Sequence, residues 1–205
     1  MEGFLVMTKV LVIGSTSDIA KAAMARLKDC EIVGLDRSRL DLNSENATNE
    51  IRGFLASENP DVVIHCGGIF DLNDKAEYDS TFNINLKSHW AVIKYYFDAR
   101  PEKLVRFISI GSSTYKQGRR NFILYAASRS ALYSMWQGSS EFAPENFKLG
   151  LINPVRVNTK HVANMPHPHP ELCLEADDVA AVIEDMARNM TESRSVDMDY
   201  KKESK

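Results

Sequence analysis

A short apolar run that ends in glycine, KVLVIG at residues 9–14, constrains the fold of this chain more than any other segment. Its length and its β-branched residues are typical of a strand that is buried on both faces of a parallel sheet. The residues that follow, SDIAKAAMARLKD at 17–29, have helical periodicity and begin with Ser-Asp, which is favourable N-cap chemistry. A buried strand that leads directly into a helix predicts an α/β fold.

The same alternation of strand and helix continues along the chain. Further strands are predicted at 31–36, 39–42, 61–68, 104–110, 147–153 and 193–199, and further helices at 44–60, 80–99, 122–143 and 175–190. This order predicts one doubly wound parallel sheet of about seven strands with helices on both faces. We expect a single domain over 1–205, with a disordered start at 1–7 and a solvated tail at 200–205.

Composition argues against several classes of partner and location. The formal net charge is −3, so the chain lacks the basic footprint of a nucleic-acid-binding protein. Its three cysteines are widely spaced and form no CxxC pair, which indicates reduced thiols rather than a disulfide framework. The first residues are too short and too acidic for a signal peptide, and no apolar run is long enough to span a membrane. We therefore expect a cytoplasmic protein with neither nucleic-acid nor membrane partners.

The loop after the first strand, GSTSDIA at 14–20, is a candidate phosphate-binding loop. In doubly wound sheets ligands bind beyond the carboxyl ends of the strands, where backbone N–H groups and the positive end of a helix suit a pyrophosphate. Only the first residue is glycine, so a well-capped strand–helix turn is an equal alternative at this stage. The candidate cofactor-binding residues in the loop are Gly14, Ser15, Thr16, Ser17, Asp18 and Ile19.

Two other strand ends carry candidate cofactor residues. Asp36 ends the second strand, where a carboxylate can accept hydrogen bonds from both ribose hydroxyls of an adenosine, whereas Arg37 could instead pair with a 2′-phosphate. Cys66, Gly67 and Gly68 follow the strand at 61–68, and two residues without a Cβ allow the backbone to approach a ligand closely. A solvated loop and a tight turn are the respective alternatives.

Tyr125 and Arg129 are four residues apart in LYAASRSAL, so a helix would place them on one face. A phenol beside a fixed positive charge ionises more readily, as a proton-transferring tyrosine requires. The alternative is a helix tyrosine whose ring covers the sheet while its hydroxyl contacts water.

In order and spacing these segments resemble the short-chain dehydrogenase/reductase family over nearly the whole chain. The loop at 14–20 resembles that family's TGxxxGxG loop, HCGG its NNAG stretch, and YAASR its YxxxK motif, with arginine in place of lysine. Ser112 precedes Tyr125 by thirteen residues, as the family's catalytic serine does. The other matching positions are Asp41 and Leu42 as the adenine-contacting pair, Asn85 as the family's asparagine, and Pro154, Val157 and Thr159 in the loop on the nicotinamide side.

The resemblance implies a Rossmann-like domain and an enzyme that transfers hydride between NAD or NADP and a small carbonyl or alcohol. Tyr125 would be the acid and base, Ser112 would hold the substrate oxygen, Asn85 would support a water, and Arg129 would replace the lysine that binds the nicotinamide ribose. NAD is slightly favoured because Asp36 would repel a 2′-phosphate. The resemblance also implies a homodimer formed through the helices at 80–99 and 122–143, which carry Trp90, Tyr95, Tyr96, Phe97, Tyr133, Met135 and Trp136.

Several departures from the family pattern keep other functions open. Two loop glycines are absent, Val155 replaces a usual glycine, and the segment before the helix at 175–190 is short for a substrate lid. A dinucleotide-binding sensor or scaffold is therefore the main alternative, and a relative of sugar-nucleotide reductases and epimerases is a second. His161, His167 and His169 lie in the short segment, but prolines interrupt their spacing, so no metal site is expected.

Overall fold

The computed structural model describes residues 7–70, 77–118, 120–163, 165 and 167–201. The expected disordered start therefore lies outside the described residues except for Met7, and so do positions 202–205 of the expected tail. No helix within the described ranges combines the length and the apolar character that crossing a membrane requires.

A six-stranded parallel sheet forms the centre of the domain, with strand order β2-β1-β3-β4-β5-β8. A separate parallel pair, β6 with β7, lies in the loops that follow β5. The strands are β1 (Lys9–Ile13), β2 (Glu31–Leu35), β3 (Val62–His65), β4 (Val105–Ile110), β5 (Phe147–Pro154), β6 (Val157–Asn158), β7 (Leu174–Glu175) and β8 (Arg194–Met198). The doubly wound fold predicted from the alternating pattern is confirmed.

Helices cover both faces of the sheet. Alternate residues of β1 enter two different cores: Val10 and Val12 pack with α1 and α6, whereas Leu11 and Ile13 pack with α2 and α4. Period-two alternation of side chains explains why β1 is apolar at every position after its first. The helices are α1 (Asp18–Arg26), α2 (Ala47–Glu58), α3 (Tyr78–Phe82), α4 (Ser88–Ala99), α5 (Ile123–Phe142) and α6 (Ala176–Asn189).

The helix predicted at 80–99 contains a wide turn. Residues Asn83–Lys87 form a π-helical turn between α3 and α4. Single π turns inside helices occur frequently at functional sites because they re-aim one side chain. Asn85, at the centre of this turn, is fully buried.

The strand predicted at 39–42 is wrong, since this segment consists of turns. The carboxylate of Asp36 accepts hydrogen bonds from the backbone N–H groups of Ser38 and Arg39, and the carboxylate of Asp41 accepts one from Asn43. Aspartate side chains that bind the backbone two or three residues ahead favour turns over a strand ladder. Leu40 is nevertheless buried in the core, which explains the alternating apolar pattern that suggested a strand.

Candidate active site

A cavity of about 1080 Å³ opens where the carboxyl ends of the central strands meet. It is lined by the residues that follow β1, β3 and β4, which begin at Gly14, Cys66 and Gly111, and by the end of β5 at Pro154. Ligands of doubly wound sheets bind at this edge. The cavity therefore lies where the fold predicts the binding site.

The loops after β1 and β3 pack tightly against each other at the floor of the cavity. Gly14 has a φ of +76°, and a Cβ on it would lie 2.5 Å from the backbone nitrogen of Gly67. A Cβ on Gly68 would lie 2.6 Å from Nη2 of Arg129. Glycine is thus required at Gly14 both by its backbone conformation and by the available space.

Five of the six predicted residues in the first loop line the cavity, namely Gly14, Thr16, Ser17, Asp18 and Ile19. Ser15 does not, because its side chain lies against Gly34 of β2. Ser17 caps α1 by accepting a hydrogen bond from the Ala20 N–H at 3.2 Å. The Asp18 carboxylate accepts one from the backbone N–H of Lys160 at 2.8 Å, so it joins the loop to the segment after β6.

The residues at the end of β2 are oriented differently from one another. Asp36 does not line the cavity, since its Oδ1 accepts hydrogen bonds from Ser38 and Arg39. These bonds, first of all the one from the Ser38 hydroxyl, hold the pKa of Asp36 below its usual range. Arg37 does line the cavity, with a side chain that is 85% exposed and an Nη2 that lies 3.7 Å from the Asp41 carboxylate. Asp41 and Leu42 are not among its lining residues.

The segment from Cys66 to Gly68 lines the cavity as predicted. Burial raises the pKa of the Cys66 thiol to about 12, against a smaller lowering effect of the hydrogen bond with Ser17. A thiol that stays protonated is a poor nucleophile, so Cys66 shapes the wall of the site instead of reacting.

Ser112 and Tyr125 both line the cavity, although different elements carry them. Ser112 follows β4, and its Oγ accepts hydrogen bonds from the backbone N–H and the hydroxyl of Thr114. Tyr125 lies in the first turn of α5, and its ring meets the ring of Phe70 edge-on at a centroid distance of 4.8 Å. Long-range folding thus brings the predicted serine and tyrosine to one site.

Arg129 is 6% exposed and is held from three sides. Its guanidinium carbon lies 5.0 Å from the centroid of the Tyr125 ring. Nη1 donates to the Ile110 carbonyl at 3.1 Å, and Nη2 donates to Asn85 Oδ1 at 3.5 Å. Nε is buried and has no hydrogen-bond partner among the described residues. Arg129 therefore places a buried positive charge at the cavity wall, with two of its five N–H groups bonded to the described residues.

Asn85 does not line the cavity, although it was predicted as a catalytic residue. Its Oδ1 accepts from the backbone N–H of Ile69 as well as from Arg129, and its Nδ2 donates to the Ile69 carbonyl and to the Ser128 hydroxyl. These four bonds use the full hydrogen-bonding capacity of an amide. The Asn85 side chain thus positions Arg129 and the backbone after β3, and its amide has no hydrogen-bonding group left for the expected water.

The loop after β5 forms the far wall of the cavity. Pro154, Val157 and Thr159 line it, as predicted. Arg156 also lines it, and its Nη2 donates to the carbonyls of Val162 and Met165. These bonds fix the arginine against the short segment that precedes α6.

The family model of short chain dehydrogenases matches residues 7–169. The chain belongs to the short chain dehydrogenase family. Members of this family are NAD(P)-dependent oxidoreductases, and the chain is accordingly placed among them. In sequence the chain matches none of the curated proteins.

Solved structures of short chain dehydrogenases share the fold. A short chain dehydrogenase from Burkholderia cenocepacia J2315 in complex with NADP superposes with a TM-score of 0.75 at 19% identity, covering 94% of this chain and 96% of that one. A 4-hydroxyisoleucine dehydrogenase complexed with NADH gives 0.73 at 18% identity, covering 93% and 96%. The ligand-free aldohexose dehydrogenase of Thermoplasma acidophilum gives 0.74 at 13% identity, covering 93% and 92%.

The residues of the cavity fit a nicotinamide dinucleotide, the cofactor of the family. Asp18 and Ile19, in the first turn of α1, line the cavity, and so does Arg129, whose guanidinium carries a fixed positive charge. Backbone donors at a helix start suit phosphates, and a guanidinium suits hydroxyls or phosphates. The short chain dehydrogenase fold and these residues are therefore both consistent with a nicotinamide dinucleotide as cofactor.

Sequence reasoning missed several residues of the cavity wall. Phe70 and Phe122 flank Tyr125, and Tyr200 lies at the wall with its ring 5.4 Å from that of His167. Lys201, the next residue, donates its backbone N–H to the Leu172 carbonyl and pairs with Asp178. Residues placed in the tail by sequence thus contact the segment before α6. The aromatic residues near Tyr125 could have been found from their position, but no local pattern marks Tyr200.

Proposed function

We propose that the protein transfers hydride between a nicotinamide cofactor and a small carbonyl or alcohol substrate, with Tyr125 as acid and base. The observation that carries this proposal is that Ser112, Tyr125 and Arg129 line the same cavity as the loop at 14–19. A site for phosphates and a site for proton transfer are thus continuous. The bound cofactor would supply or accept the hydride.

Each of the three side chains has a role that its environment supports. Tyr125 donates a proton to the carbonyl oxygen during reduction and accepts it during oxidation. Ser112 Oγ accepts two hydrogen bonds from Thr114, which leaves its own hydrogen free to donate to the same oxygen. Arg129 supplies a fixed positive charge against the Tyr125 ring, and its guanidinium is the group that would bind a ribose hydroxyl.

Tyr125→Phe is the test of the proton transfer. We expect this variant to lose at least a hundredfold in kcat on a panel of carbonyls, because general acid catalysis contributes about 10²–10⁴-fold. Its affinity for the reduced cofactor should change less than twofold, since the hydroxyl acts in the transition state. Cofactor oxidation at 340 nm and cofactor fluorescence measure the two quantities.

Arg129 variants complete this experiment. Arg129→Met should weaken both turnover and cofactor binding, whereas Arg129→Lys should retain or raise turnover if arginine serves in place of the family's lysine. Lys28→Gln, an exposed cation remote from the cavity lining, is the matched control. If neither wild type nor Arg129→Lys shows turnover while both still bind dinucleotide, the enzyme hypothesis is wrong and the dinucleotide-binding sensor is favoured.

The sensor or scaffold is the second candidate because of how Arg129 is held. Both Nη atoms donate to the protein, to Ile110 and Asn85, so the guanidinium is held in the wall and is less free to turn towards a ligand than a lysine ammonium on its flexible chain. No observation in the described residues favours a relative of sugar-nucleotide enzymes. The cytoplasmic location remains a prediction from sequence.

We further propose a preference for NAD over NADP. The carboxylates of Asp36 and Asp41 both lie at the end of β2, and Arg37 is already drawn towards Asp41. Neither carboxylate lines the cavity, but a 2′-phosphate at this strand end would have to draw Arg37 away from Asp41 and would lie near the negative charge of both carboxylates. Fluorescence titration should give tighter binding of NADH than of NADPH. Asp36→Ala should reduce the difference between the two affinities. Tighter binding of NADPH to wild type, lost in Arg37→Ala, would reverse the assignment.

A further inference from the structure

The described residues that line the cavity carry an excess of positive charge. A single carboxylate, Asp18, is among them, and it accepts a hydrogen bond from the Lys160 backbone. The cationic lining residues are Arg37, Arg120, Arg129, Arg156 and Lys160. A concave site lined by charges of one sign concentrates ligands of the opposite sign.

Among the described residues, most of these cations have no carboxylate partner. Arg37 pairs with Asp41. In the described part of the chain, Arg120, Arg129, Arg156 and Lys160 form no ion pair. Unpaired charge in a partly buried site is unfavourable unless a ligand completes it. A ligand with anionic groups would therefore suit this cavity.

The cofactor accounts for only part of this charge. Lys160 adjoins the loop at 14–19 through its bond to Asp18, so a pyrophosphate on that loop meets it. Arg129 belongs to the proposed catalytic group. Arg120 and Arg156 remain, and they enter the cavity from the start of α5 and from the end of β5.

Arg156 is fixed in place with donors to spare. One nitrogen, Nη2, donates to the Val162 and Met165 carbonyls, while Nε is buried with no partner among the described residues. Arg120 is exposed at the mouth, two residues before Phe122. Apolar residues line the same cavity: the rings of Phe70 and Phe122 contact the Tyr125 ring, and Met165 accepts a hydrogen bond from Arg156. Cationic and apolar side chains thus line the cavity that holds Tyr125.

We propose that the substrate carries an anionic group, a carboxylate or a phosphate, which Arg120 and Arg156 bind while its apolar body contacts Phe70, Phe122 and Met165. This inference rests on the proposed function, in which the carbonyl of the same substrate reaches Tyr125. A guanidinium is suited to either anion because its planar donors match two oxygens at once. The two arginines then orient the substrate and select against neutral carbonyls.

The experiment compares anionic probes with neutral derivatives that keep the same carbonyl group. The probes are benzoylformate against its methyl ester, and dihydroxyacetone phosphate against dihydroxyacetone. Each is tested for turnover with NADH and, independently, for binding to the NAD-loaded protein by calorimetry. The proteins are wild type, Arg120→Gln, Arg156→Gln and the control Lys28→Gln. The first pair reports on a carboxylate and the second on a phosphate.

We expect at least one anionic probe to bind tenfold or more tightly than its neutral partner, and each arginine variant to remove most of that preference. The affinity for NADH and the behaviour of Lys28→Gln should stay unchanged. If no probe turns over but the arginine-dependent binding persists, the anion site stands and the proposed reaction fails. Equal binding of charged and neutral probes, or a preference that survives both arginine variants, overturns the anion site.

Discussion

At the scale of single residues, both the fold and the candidate site require that Gly14 carry no Cβ. Its φ of +76° disfavours any side chain, and its nearest neighbour is the backbone of Gly67, which cannot move aside. A Cβ on Gly67, by contrast, would meet the end of the Leu42 side chain. A flexible side chain can shift by rotation, so the two glycines should differ in their tolerance of alanine.

We expect Gly14→Ala to lower the free energy of unfolding by about 2–4 kcal/mol through strain and overpacking. Gly67→Ala should cost less than half of that. Gly53→Ala is the matched control, because Gly53 lies in α2 and a Cβ there would meet no described atom within 4 Å, so alanine should stabilise by about 0.5–1 kcal/mol. Urea denaturation followed by circular dichroism measures all three. Equal losses at Gly14 and Gly67 would contradict the backbone argument.

At the scale of elements, two buried histidines join α4 to the sheet. The rings of His65 on β3 and His89 on α4 stack at a centroid distance of 3.7 Å. Ser88 donates its hydroxyl hydrogen to the Ile84 carbonyl, so His65 Nε2 must donate to Ser88 Oγ. Nδ1 of His65 is buried without a partner among the described residues, so a second proton there would create a buried charge with no acceptor. This environment therefore favours neutral imidazole.

Burial, with a smaller contribution from the Arg129 charge, lowers the pKa of His65 to about 3. Burial, followed by the neighbouring His65 and Arg129, places the pKa of His89 well below its usual value. Below a pH of about 6.5 the unfolded chain binds protons that the folded protein cannot, so stability falls as the pH decreases from about 6.5 towards 3. Stability from this pair is fully present above that window.

We expect the free energy of unfolding to decrease by about 4 kcal/mol between pH 7 and pH 5, about 2 kcal/mol for each histidine. His89→Leu should remove about half of this dependence. His169→Gln, which changes an exposed histidine, should leave it unchanged. Denaturation curves at several pH values provide the measurement, and a flat profile in wild type would contradict the neutral pair.

At the scale of the whole molecule, an apolar surface lies beside α4 and α5. Tyr78 and Trp90 are 60% and 42% exposed, and they border a shallow cavity of about 350 Å³ together with Phe82, Leu86 and Met135. Tyr96, one of the aromatic residues predicted to face a partner, is only 4% exposed and belongs to the core. The surface is thus smaller than sequence suggested, and Trp90 is its centre.

We propose a homodimer through this surface, since two-fold association is the commonest symmetry. Trp90→Glu should raise the dimer dissociation constant at least tenfold, which corresponds to about 1.4 kcal/mol. Phe142→Glu, at an exposed residue near the end of α5 that does not border the cavity, is the control. Light scattering at micromolar concentration gives the mass. A wild-type monomer, or equal effects of the two variants, would exclude this interface.

Local sequence determined the class of fold and most of its elements. The β-branched runs at β1, β3 and β4 and the capped helices carry their signals within a few residues, because periodicity and capping are short-range properties. Local spacing indicated Tyr125 and Arg129, and the family resemblance indicated Ser112; the fold brings all three to one cavity. The prediction failed at 39–42, where aspartate side chains bind the neighbouring backbone instead of allowing a strand.

Tertiary structure alone decided how the site residues are used. The bond from Lys160 to Asp18 joins residues 142 positions apart, and the bond from Arg129 to Asn85 joins residues 44 apart. Such contacts leave no periodic trace, since each depends on the relative placement of whole elements. The positive charge of the cavity has the same origin. Cations from separate segments line one cavity only because the ends of the strands converge in the fold. The sequence identified the candidate site residues. Tertiary packing determined which of them line the cavity.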